Sequence, residues 1–335
     1  MKLFRVAVVG GRGLVGLKLI EILIKEKFPF SELVVYGNIE EQFEVEGYKF
    51  VSKILRKETV EKFDFVFFCV GEEVSKKYAY DFIALGAKVI DNSSYYRLDK
   101  DVPLVIPEIN GFDLLNNNHL YANPNCTTIM ILLGLKPLID RYKLEKLYIS
   151  SYQSTSGGGK DALNEYYLEK ENPNYIPKIL PNKKIKKSTI FDNIIPIVDV
   201  LLDNGYTNEE MKVRLESKKI LHLEKLEINA TCVRVPTSIG HGATIFAVFE
   251  EKVDVEEAYK LLGEVAYLKV YDDNSYPTLI DVRGTPLVGV GRLRKDLDCD
   301  YTLSFFVTSD NLVRGASYNA YKIALKLVEY YKWIF

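Results

Sequence analysis

One cysteine in this 335-residue chain has the surroundings of a nucleophile. Cys126 lies in the segment NPNCTT, residues 123–128, directly before a strongly apolar run of helical character. Proline and asparagine end the incoming strand and asparagine or threonine caps the helix, which predicts Cys126 in the first helical turn. Unpaired amides and the positive end of the helix dipole favour a thiolate at that place. The segment therefore predicts covalent catalysis through a single sulfur.

The other three cysteines lack this setting. Cys69, in FVFFCV, and Cys232, in an alternating strand pattern, are interpreted as packed core thiols. Cys299 lies between two aspartates, whose like charge makes it a poor nucleophile. No CxxC spacing occurs, so neither a disulfide framework nor a structural zinc site is predicted, and no metal is expected.

A nucleophilic cysteine needs a proton acceptor, and the chain has three histidines. His241 lies in VPTSIGHG, between two glycines at the mouth of two predicted strands, which suits a general base. The alternative is a loop histidine without a catalytic role. His119 lies in an asparagine-rich loop and His222 in a segment rich in lysine and glutamate, and both are interpreted as solvated.

A glycine turn near the N-terminus predicts a dinucleotide site. Gly10, Gly13 and Gly16 follow an apolar strand and open a helix, with the spacing G-x-x-G-x-x-G. Such glycines allow the tight turn, the close approach of a pyrophosphate and helix packing, and the helix N-terminus supplies amides for phosphate. The alternative is a tight turn without a ligand.

Charges near this turn leave the choice between NAD and NADP open. The predicted second strand runs into Asn38-Ile39-Glu40-Glu41, where no lysine or arginine stands and two carboxylates would repel a 2′-phosphate. Arg12, inside the glycine turn, could itself pair with a phosphate.

The elements that must position these residues form two groups. In the first, runs that are apolar on both faces alternate with helical patterns, which predicts a parallel sheet covered on two sides. The apolar runs are residues 3–9, 33–36, 63–70, 88–90 and 103–106, and the helical patterns are 14–27 and 75–85. In the second, the strand-like stretches 144–152, 225–235, 243–248 and 301–307 alternate more openly and predict an antiparallel or mixed sheet. A last helix is expected at about 312–333, and residues 172–188 are interpreted as a surface excursion.

Composition excludes several classes of protein. Hydrophobic residues make up 47% and charged residues 27%, as in folded globular chains. The chain has 44 basic and 46 acidic residues, for a net charge of −2, so nucleic acid is not an expected partner. No apolar run approaches 18 residues, and the N-terminus is interpreted as a first strand rather than a secretory signal, so no membrane partner and a cytoplasmic location are expected.

Taken together, the motifs resemble the aspartate-β-semialdehyde dehydrogenase family. They occur in the family's order across nearly the whole chain: the glycine turn, NSSYYR with DVPLVIPEIN, NPNCTT, SYQSTSGGG, NGYTNEEMK, CVRVPTSIGHG and DNLVRGASYNA. The resemblance implies reversible, phosphate-dependent oxidation of L-aspartate 4-semialdehyde to L-4-aspartyl phosphate with NADP, NAD remaining possible. It places this step towards lysine, threonine and methionine, in a homodimer or homotetramer.

The resemblance also implies a fold and its division. The fold class is α/β, with an N-terminal Rossmann-like parallel sheet and a C-terminal α+β catalytic and dimerisation domain. Residues 1–123 plus 313–335 are expected to form the dinucleotide-binding domain, and residues 124–312 the catalytic one.

Individual roles follow from the resemblance alone. Cys126 resembles the family's nucleophile, His241 its acid/base and Gln153 the residue that orients the acyl group. Arg234 is expected to clamp the substrate carboxylate and Glu209 to hold its ammonium group. Lys212, on the same helix face as Glu209, is expected to meet phosphate together with Arg97 and Asn125. Cofactor contacts are implied for Gly10, Arg12, Gly13, Leu14, Val15, Gly16, Asn38, Gly71, Ser156, Gly157 and Asn319.

The chain departs from the family in its first turn, where Gly11 and Arg12 replace the usual Ala and Thr, and in lacking the Ser-Arg pair that commonly receives a 2′-phosphate.

Two enzymes of the same fold are alternatives. N-acetyl-γ-glutamyl-phosphate reductase typically has Gly before its cysteine and Tyr-Pro after it, where this chain has Asn125 and two threonines. An acyl-CoA reductase is disfavoured by Arg97 and Lys212, and a non-catalytic relative by the presence of both cysteine and histidine.

Overall fold

The computed structural model describes residues 2–116, 118–179, 188–272 and 274–334. The chain forms two compact units, Met1–Asn125 with Ala316–Phe335, and Cys126–Gly315. Part of the predicted surface excursion, residues 180–187, lies outside the described residues.

The described residues form fourteen strands and nine α-helices. The strands are β1 (Phe4–Val9), β2 (Phe30–Gly37), β3 (Gln42–Val45), β4 (Tyr48–Val51), β5 (Lys53–Ile54), β6 (Phe65–Phe68), β7 (Lys88–Asp91), β8 (Leu120–Ala122), β9 (Leu144–Gln153), β10 (Glu227–Arg234), β11 (His241–Phe249), β12 (Leu268–Val270), β13 (Val288–Lys295) and β14 (Thr302–Ser309). The helices are α1 (Leu14–Lys25), α2 (Glu72–Ala84), α3 (Pro107–Asn110), α4 (Cys126–Ile139), α5 (Gly159–Glu171), α6 (Asn208–Leu221), α7 (Val255–Gly263), α8 (Leu279–Val282) and α9 (Tyr318–Ile334). Shorter 3₁₀ turns occur at residues 57–59, 111–115 and 155–158.

The first unit is built on a six-stranded parallel sheet. Its strand order is β5-β2-β1-β6-β7-β8, and a separate hairpin, β3 with β4, follows β2. Strand β6, FVFF, is buried on both faces because helices cover the sheet, which explains its continuous apolar run. The order reverses between β1 and β6, and in such sheets ligands bind beyond the carboxyl ends of the strands at that point. The Rossmann-like N-terminal fold is therefore confirmed.

Two glycines of the turn after β1 have no room for a side chain. Gly10 has a φ of +81°, and a Cβ there would lie 2.5 Å from the carbonyl oxygen of Cys69. A Cβ on Gly16, in the first turn of α1, would lie 2.3 Å from the carbonyl oxygen of Gly10. Backbone meets backbone at both places, so α1 can start this close to the sheet only with glycine.

The second unit has a mixed sheet in the order β10-β9-β11-β14-β13-β12. Strands β9, β11, β14 and β13 pair antiparallel, while β10 and β12 add parallel edges. Helix α4 packs on this sheet and against α6 and α7, which explains why it is apolar on every side. On the other face Tyr148 and Phe246 lie opposite each other and are exposed. The predicted mixed C-terminal sheet is confirmed.

Two predicted elements differ in the structure. Residues 103–106 are not a strand, because their pairing is limited to one bridge between Leu104 and Ala122, and β8 forms the edge instead. Pro103 and Pro107 lack the amide hydrogens that a longer ladder needs. The last helix, predicted from residue 312, begins at Tyr318 after a π-helical turn at 313–317.

We expect Gly16→Ala to destabilise the chain by about 2 kcal/mol or more, because the new methyl group collides with backbone that cannot move independently. The matched control is Gly263→Ala in α7, where a Cβ would meet no atom within 4 Å. Urea unfolding followed by circular dichroism measures both. Equal stability of the two variants would contradict the packing described for the turn.

Candidate functional site

Cys126 is the first residue of α4, as predicted, and is partly exposed. The sulfur therefore lies at the positive end of the α4 helix dipole. Gly315 lies directly against it, since a Cβ on Gly315 would be 2.6 Å from the Cβ of Cys126. Sequence reasoning assigned no role to Gly315, although it stands in the quoted DNLVRGASYNA segment.

Three predicted site residues form a row across adjacent strands. Gln153, at the end of β9, pairs in register with Arg234 of β10 on one side and with His241 of β11 on the other. All three side chains are buried. A Cβ on Gly157 would lie 3.0 Å from Nη1 of Arg234 and 3.2 Å from Nε2 of His241, so the row and the 155–158 turn converge.

The imidazole of His241 is held in one orientation. Its Nδ1 accepts a hydrogen bond from the backbone N–H of Ser154 at 3.1 Å, and the Ser154 hydroxyl lies 3.2 Å away. A neutral ring in this position therefore carries its proton on Nε2. Burial, reinforced by the positive charge of Arg234, lowers the pKa of His241 to about 3. The buried Nε2 has no hydrogen-bond partner among the described residues, which leaves it for a ligand.

Arg234 brings a buried positive charge to the row. Its Nη1 donates to the carbonyl oxygen of Ser154 at 2.5 Å, which fixes the guanidinium plane. Burial lowers its pKa, while the negative charges of Glu209 and of a Cys126 thiolate oppose that shift. Cys126 is thus within electrostatic range of a cation, which favours an anionic sulfur.

The start of α6 supplies the remaining charged groups. Thr207 and Glu210 form a reciprocal capping box, and Glu210 also accepts the backbone N–H of Cys232 at 3.0 Å, which ties α6 to β10. Glu209 is thereby placed to accept a hydrogen bond from Nε2 of Gln153 at 3.1 Å. The structure thus brings Glu209 next to Gln153, while the predicted binding of a substrate ammonium group stays a prediction.

Lys212 lies one helical turn further on. Its ammonium group is 3.6 Å from Glu209 and 2.6 Å from Asp199. Asp199 was missed by sequence reasoning, because only the tertiary structure brings its loop beside α6. The predicted helix face shared by Glu209 and Lys212 is present in the structure.

Asn311 is a third residue that sequence reasoning missed. Its Oδ1 accepts hydrogen bonds from the hydroxyls of Ser154 and Ser156 and from the backbone N–H of Gly240, at 3.3, 3.1 and 2.9 Å. One buried amide therefore connects the 154–156 loop to the residue before His241. Asn311 lies in the quoted DNLVRG segment, which was the available signal.

The predicted cofactor residues after β1 and β6 lie in the first unit. Helix α1 starts after Gly13, and α2 starts after Gly71, in both cases without a side chain bonded to the helix N-terminus. The amides of Leu14, Val15 and Gly16 are thus left for an anion, and the start of α2 is open because a Cβ on Gly71 would meet no atom within 4 Å. These residues fit a dinucleotide pyrophosphate.

Arg12 and Asn38 lie near the same end of this sheet. Asn38 follows β2 and is exposed. Arg12 forms an ion pair with Glu41.

Arg97, Asn125 and Asn319 also belong to the first unit. Nη2 of Arg97 donates to the carbonyl oxygen of Asn92 at 2.8 Å. Asn123 links the side chains of Asn92 and Asn319, at 2.9 and 2.7 Å. Oδ1 of Asn319 is buried and has no hydrogen-bond partner within the described part of the chain, which suits a donor on a bound ligand.

The remaining cysteines and histidines lie elsewhere. Burial raises the pKa of the Cys69 and Cys232 thiols, although Cys69 as a whole residue is partly exposed rather than fully packed. His119 is in the first unit, with Nδ1 3.2 Å from the carbonyl oxygen of Ala87, and His222 ends α6 with a φ of +55°.

Across residues 2–116, 118–179, 188–272 and 274–334 there is no group of three or more His, Cys, Asp or Glu that could hold a metal ion. Over the same residues, the helices are too short or too polar to cross a bilayer.

Known proteins resemble this chain along its whole length. The family models "Semialdehyde dehydrogenase, NAD binding domain" and "Semialdehyde dehydrogenase, dimerisation domain" match residues 5–117 and 135–314. The aspartate-semialdehyde dehydrogenase of Aquifex aeolicus is 37% identical over 97% of this chain and 98% of its own, and aspartate-semialdehyde dehydrogenase 2 of Vibrio cholerae is 35% identical over 98% of each.

Solved structures of aspartate-semialdehyde dehydrogenases also resemble this chain. That of aspartate semialdehyde dehydrogenase II from Vibrio cholerae, complexed with ASA, has a TM-score of 0.92 at 32% identity and covers 98% of this chain and 99% of its own. Aspartate semialdehyde dehydrogenase with NADP from Candida albicans shares the fold, with a TM-score of 0.75 at 22% identity over 97% of this chain and 98% of its own.

The buried His241 should make stability depend on pH. Unfolded histidine binds a proton near pH 6.5, whereas folded His241 does so only near pH 3. Between these values the unfolded state holds more protons, so stability falls as pH falls, by about 2 kcal/mol at pH 5 for this group.

Denaturant unfolding at pH 7.5 and pH 5 measures the effect. His241→Asn should reduce the stability lost between these pH values by that amount, whatever its absolute stability. The matched control is His222→Asn, since His222 is exposed and asparagine tolerates its left-handed backbone. If both variants kept the full pH dependence, His241 would not be the buried neutral group described above.

Proposed function

The chain belongs to the aspartate-semialdehyde dehydrogenase family, and on that premise we propose that it oxidises L-aspartate 4-semialdehyde to L-4-aspartyl phosphate through a thioester on Cys126. Membership makes it an NAD(P)-dependent dehydrogenase of amino-acid biosynthesis. The observation that carries the proposal is the row of Arg234, Gln153 and His241, with Cys126 within electrostatic range of its cation.

Cys126 supplies the nucleophile. Its thiolate attacks the aldehyde carbon, a C–S bond forms, and the carbonyl electron pair moves onto oxygen to give a tetrahedral alkoxide. The start of α4 and the Arg234 guanidinium support this step, because both favour negative charge on the sulfur.

His241 acts on the oxygen of that intermediate. Because Ser154 binds Nδ1, the proton on Nε2 can donate a hydrogen bond to the developing alkoxide. A thiolate attack needs no proton removed from sulfur, so a donor at Nε2 is sufficient for the forward reaction. The general-base role assigned from the sequence stays a prediction, as does the orienting role of Gln153.

Collapse of the alkoxide to the thioester expels a hydride, and a nicotinamide cofactor would supply the acceptor for it. We propose NADP as the cofactor, with NAD as an alternative. The uncapped start of α1 would hold the pyrophosphate, and the family resemblance implies further cofactor contacts for Ser156, Gly157 and Asn319.

Charged side chains are proposed to bind the ends of the amino acid. A guanidinium pairs with a carboxylate in two parallel hydrogen bonds, which suits Arg234. Glu209, bonded to Gln153 and close to Lys212, would accept the substrate ammonium group. The substrate's two charges would thus fix which carbon meets the sulfur.

Phosphate releases the product. A phosphate oxygen attacks the thioester carbonyl, and the C–S bond breaks to return the Cys126 thiolate. Lys212 is proposed to attract this phosphate, and the family resemblance implies the same role for Arg97 and Asn125. The two alternative reductases find no support, since the relatives described above are aspartate-semialdehyde dehydrogenases.

The two parts of the chain are proposed to have different functions. Residues 1–123 plus 313–335 would bind the dinucleotide, and residues 124–312 would carry the acyl chemistry and the dimer contact, which agrees with the dimerisation model matched over 135–314. The exposed Tyr148 and Phe246 mark the sheet face proposed for that contact. A homotetramer and a cytoplasmic location stay predictions from the sequence.

We expect Cys126→Ala to abolish semialdehyde-dependent reduction of NADP while it binds NADP with a Kd within about twofold of the parent protein, because the sulfur makes the acyl bond and Cys126 is not among the residues proposed to bind the nucleotide. The matched control is Cys299→Ala, which removes another partly exposed thiol.

Stopped-flow absorbance with and without phosphate tests the sequence of steps. Without phosphate, the parent protein should form about one equivalent of reduced cofactor per active site and then stop, because the thioester accumulates. Continuous turnover by Cys126→Ala would refute the proposed nucleophile, and phosphate-independent turnover by the parent would refute the proposed acceptor.

A further inference from the structure

Two side chains of opposite charge meet where the first unit would bind the adenosine end of its dinucleotide. Arg12 lies in the glycine turn after β1, and Glu41 lies in the loop after β2. The guanidinium of Arg12 forms an ion pair with the Glu41 carboxylate, at side-chain exposures of 29% and 47%. Each charge is thus neutralised by the other, and both side chains remain partly exposed to solvent.

The backbone on both sides of this ion pair is fixed. The N–H of Gly10 donates to the carbonyl oxygen of Tyr36 at 2.8 Å, which joins the ends of β1 and β2. Ser52, fully buried, donates to the carbonyl oxygen of Ile39 at 2.8 Å and accepts the N–H of Glu41 at 3.1 Å. These hydrogen bonds therefore fix the loop that carries the Glu41 carboxylate.

The two groups have opposite preferences for the ribose. In sheets of this order a carboxylate after the second strand accepts hydrogen bonds from the ribose hydroxyls of NAD, whereas an arginine nearby receives the 2′-phosphate of NADP. This chain carries one of each, and residues 38–41 contain no lysine or arginine that could add to the positive charge. A 2′-phosphate bound by Arg12 would compete with Glu41 for the guanidinium and lie close to a carboxylate, whereas NAD carries no such group.

We infer that the Arg12–Glu41 ion pair determines cofactor specificity. The ion pair weakens binding of the 2′-phosphate, so that the chain binds both NADP and NAD. The inference rests on the proposed dehydrogenase function and extends it to the choice of cofactor. Glu41 is the specificity-determining residue, because its charge both occupies the arginine and repels the phosphate.

Isothermal titration of the full chain with NADP and with NAD tests this without catalysis. Glu41→Gln should tighten NADP binding about fivefold and weaken NAD binding about twofold, as expected for removal of a half-exposed ion pair. Arg12→Met should weaken NADP binding by about tenfold and leave NAD within about twofold. The advantage of Glu41→Gln for NADP should shrink as salt rises, because the phosphate interactions are screened.

Glu40→Gln is the matched control, since it removes the same charge one residue earlier, from an exposed side chain that forms no ion pair with any described residue. Because it removes one repelling charge and no ion pair, it should change the ratio of the two dissociation constants much less than Glu41→Gln does, by about twofold. The inference is overturned if Glu41→Gln leaves that ratio unchanged, or if Glu40→Gln shifts it equally. A parent protein that binds neither nucleotide would overturn the proposed function, and this inference with it.

Discussion

The register of β9 with its two neighbours is the constraint on which the site depends. It places Arg234 and His241 on either side of Gln153, although the three lie far apart in the sequence. A buried arginine and a buried imidazole so close together disfavour a second positive charge, so the ring stays neutral. Slipping one strand by a residue would turn its side chain to the opposite face and remove it from the row.

That electrostatic arrangement defines what each group can do. The guanidinium stabilises anions, the neutral ring donates from Nε2, and Glu209 is the acidic group bonded to the row. Ser154 contributes through its backbone, since one N–H sets the tautomer of His241 and its carbonyl oxygen fixes Arg234. Preorganised dipoles of this kind require no rearrangement when charge develops in the reaction.

Local signals were sufficient for the features that depend on a few consecutive residues. Capping chemistry predicted that Cys126 would begin a helix, and glycine spacing predicted the turn after β1. The sequence could not supply the contacts of Asp199 and Asn311, because each acts through a side chain that meets its partners only after the loops are packed. The strand predicted at 103–106 failed for a related reason: apolar character indicates burial, but pairing also needs amide hydrogens.

The contact between Gly315 and Cys126 has a consequence for how the chain is assembled, because these residues are the last and first of the second unit. A segment whose two ends touch can be inserted into a loop of another protein without stretching its host. The sulfur proposed as the nucleophile belongs to the residue at which the chain enters that segment, and Gly315 is the residue at which the chain leaves it.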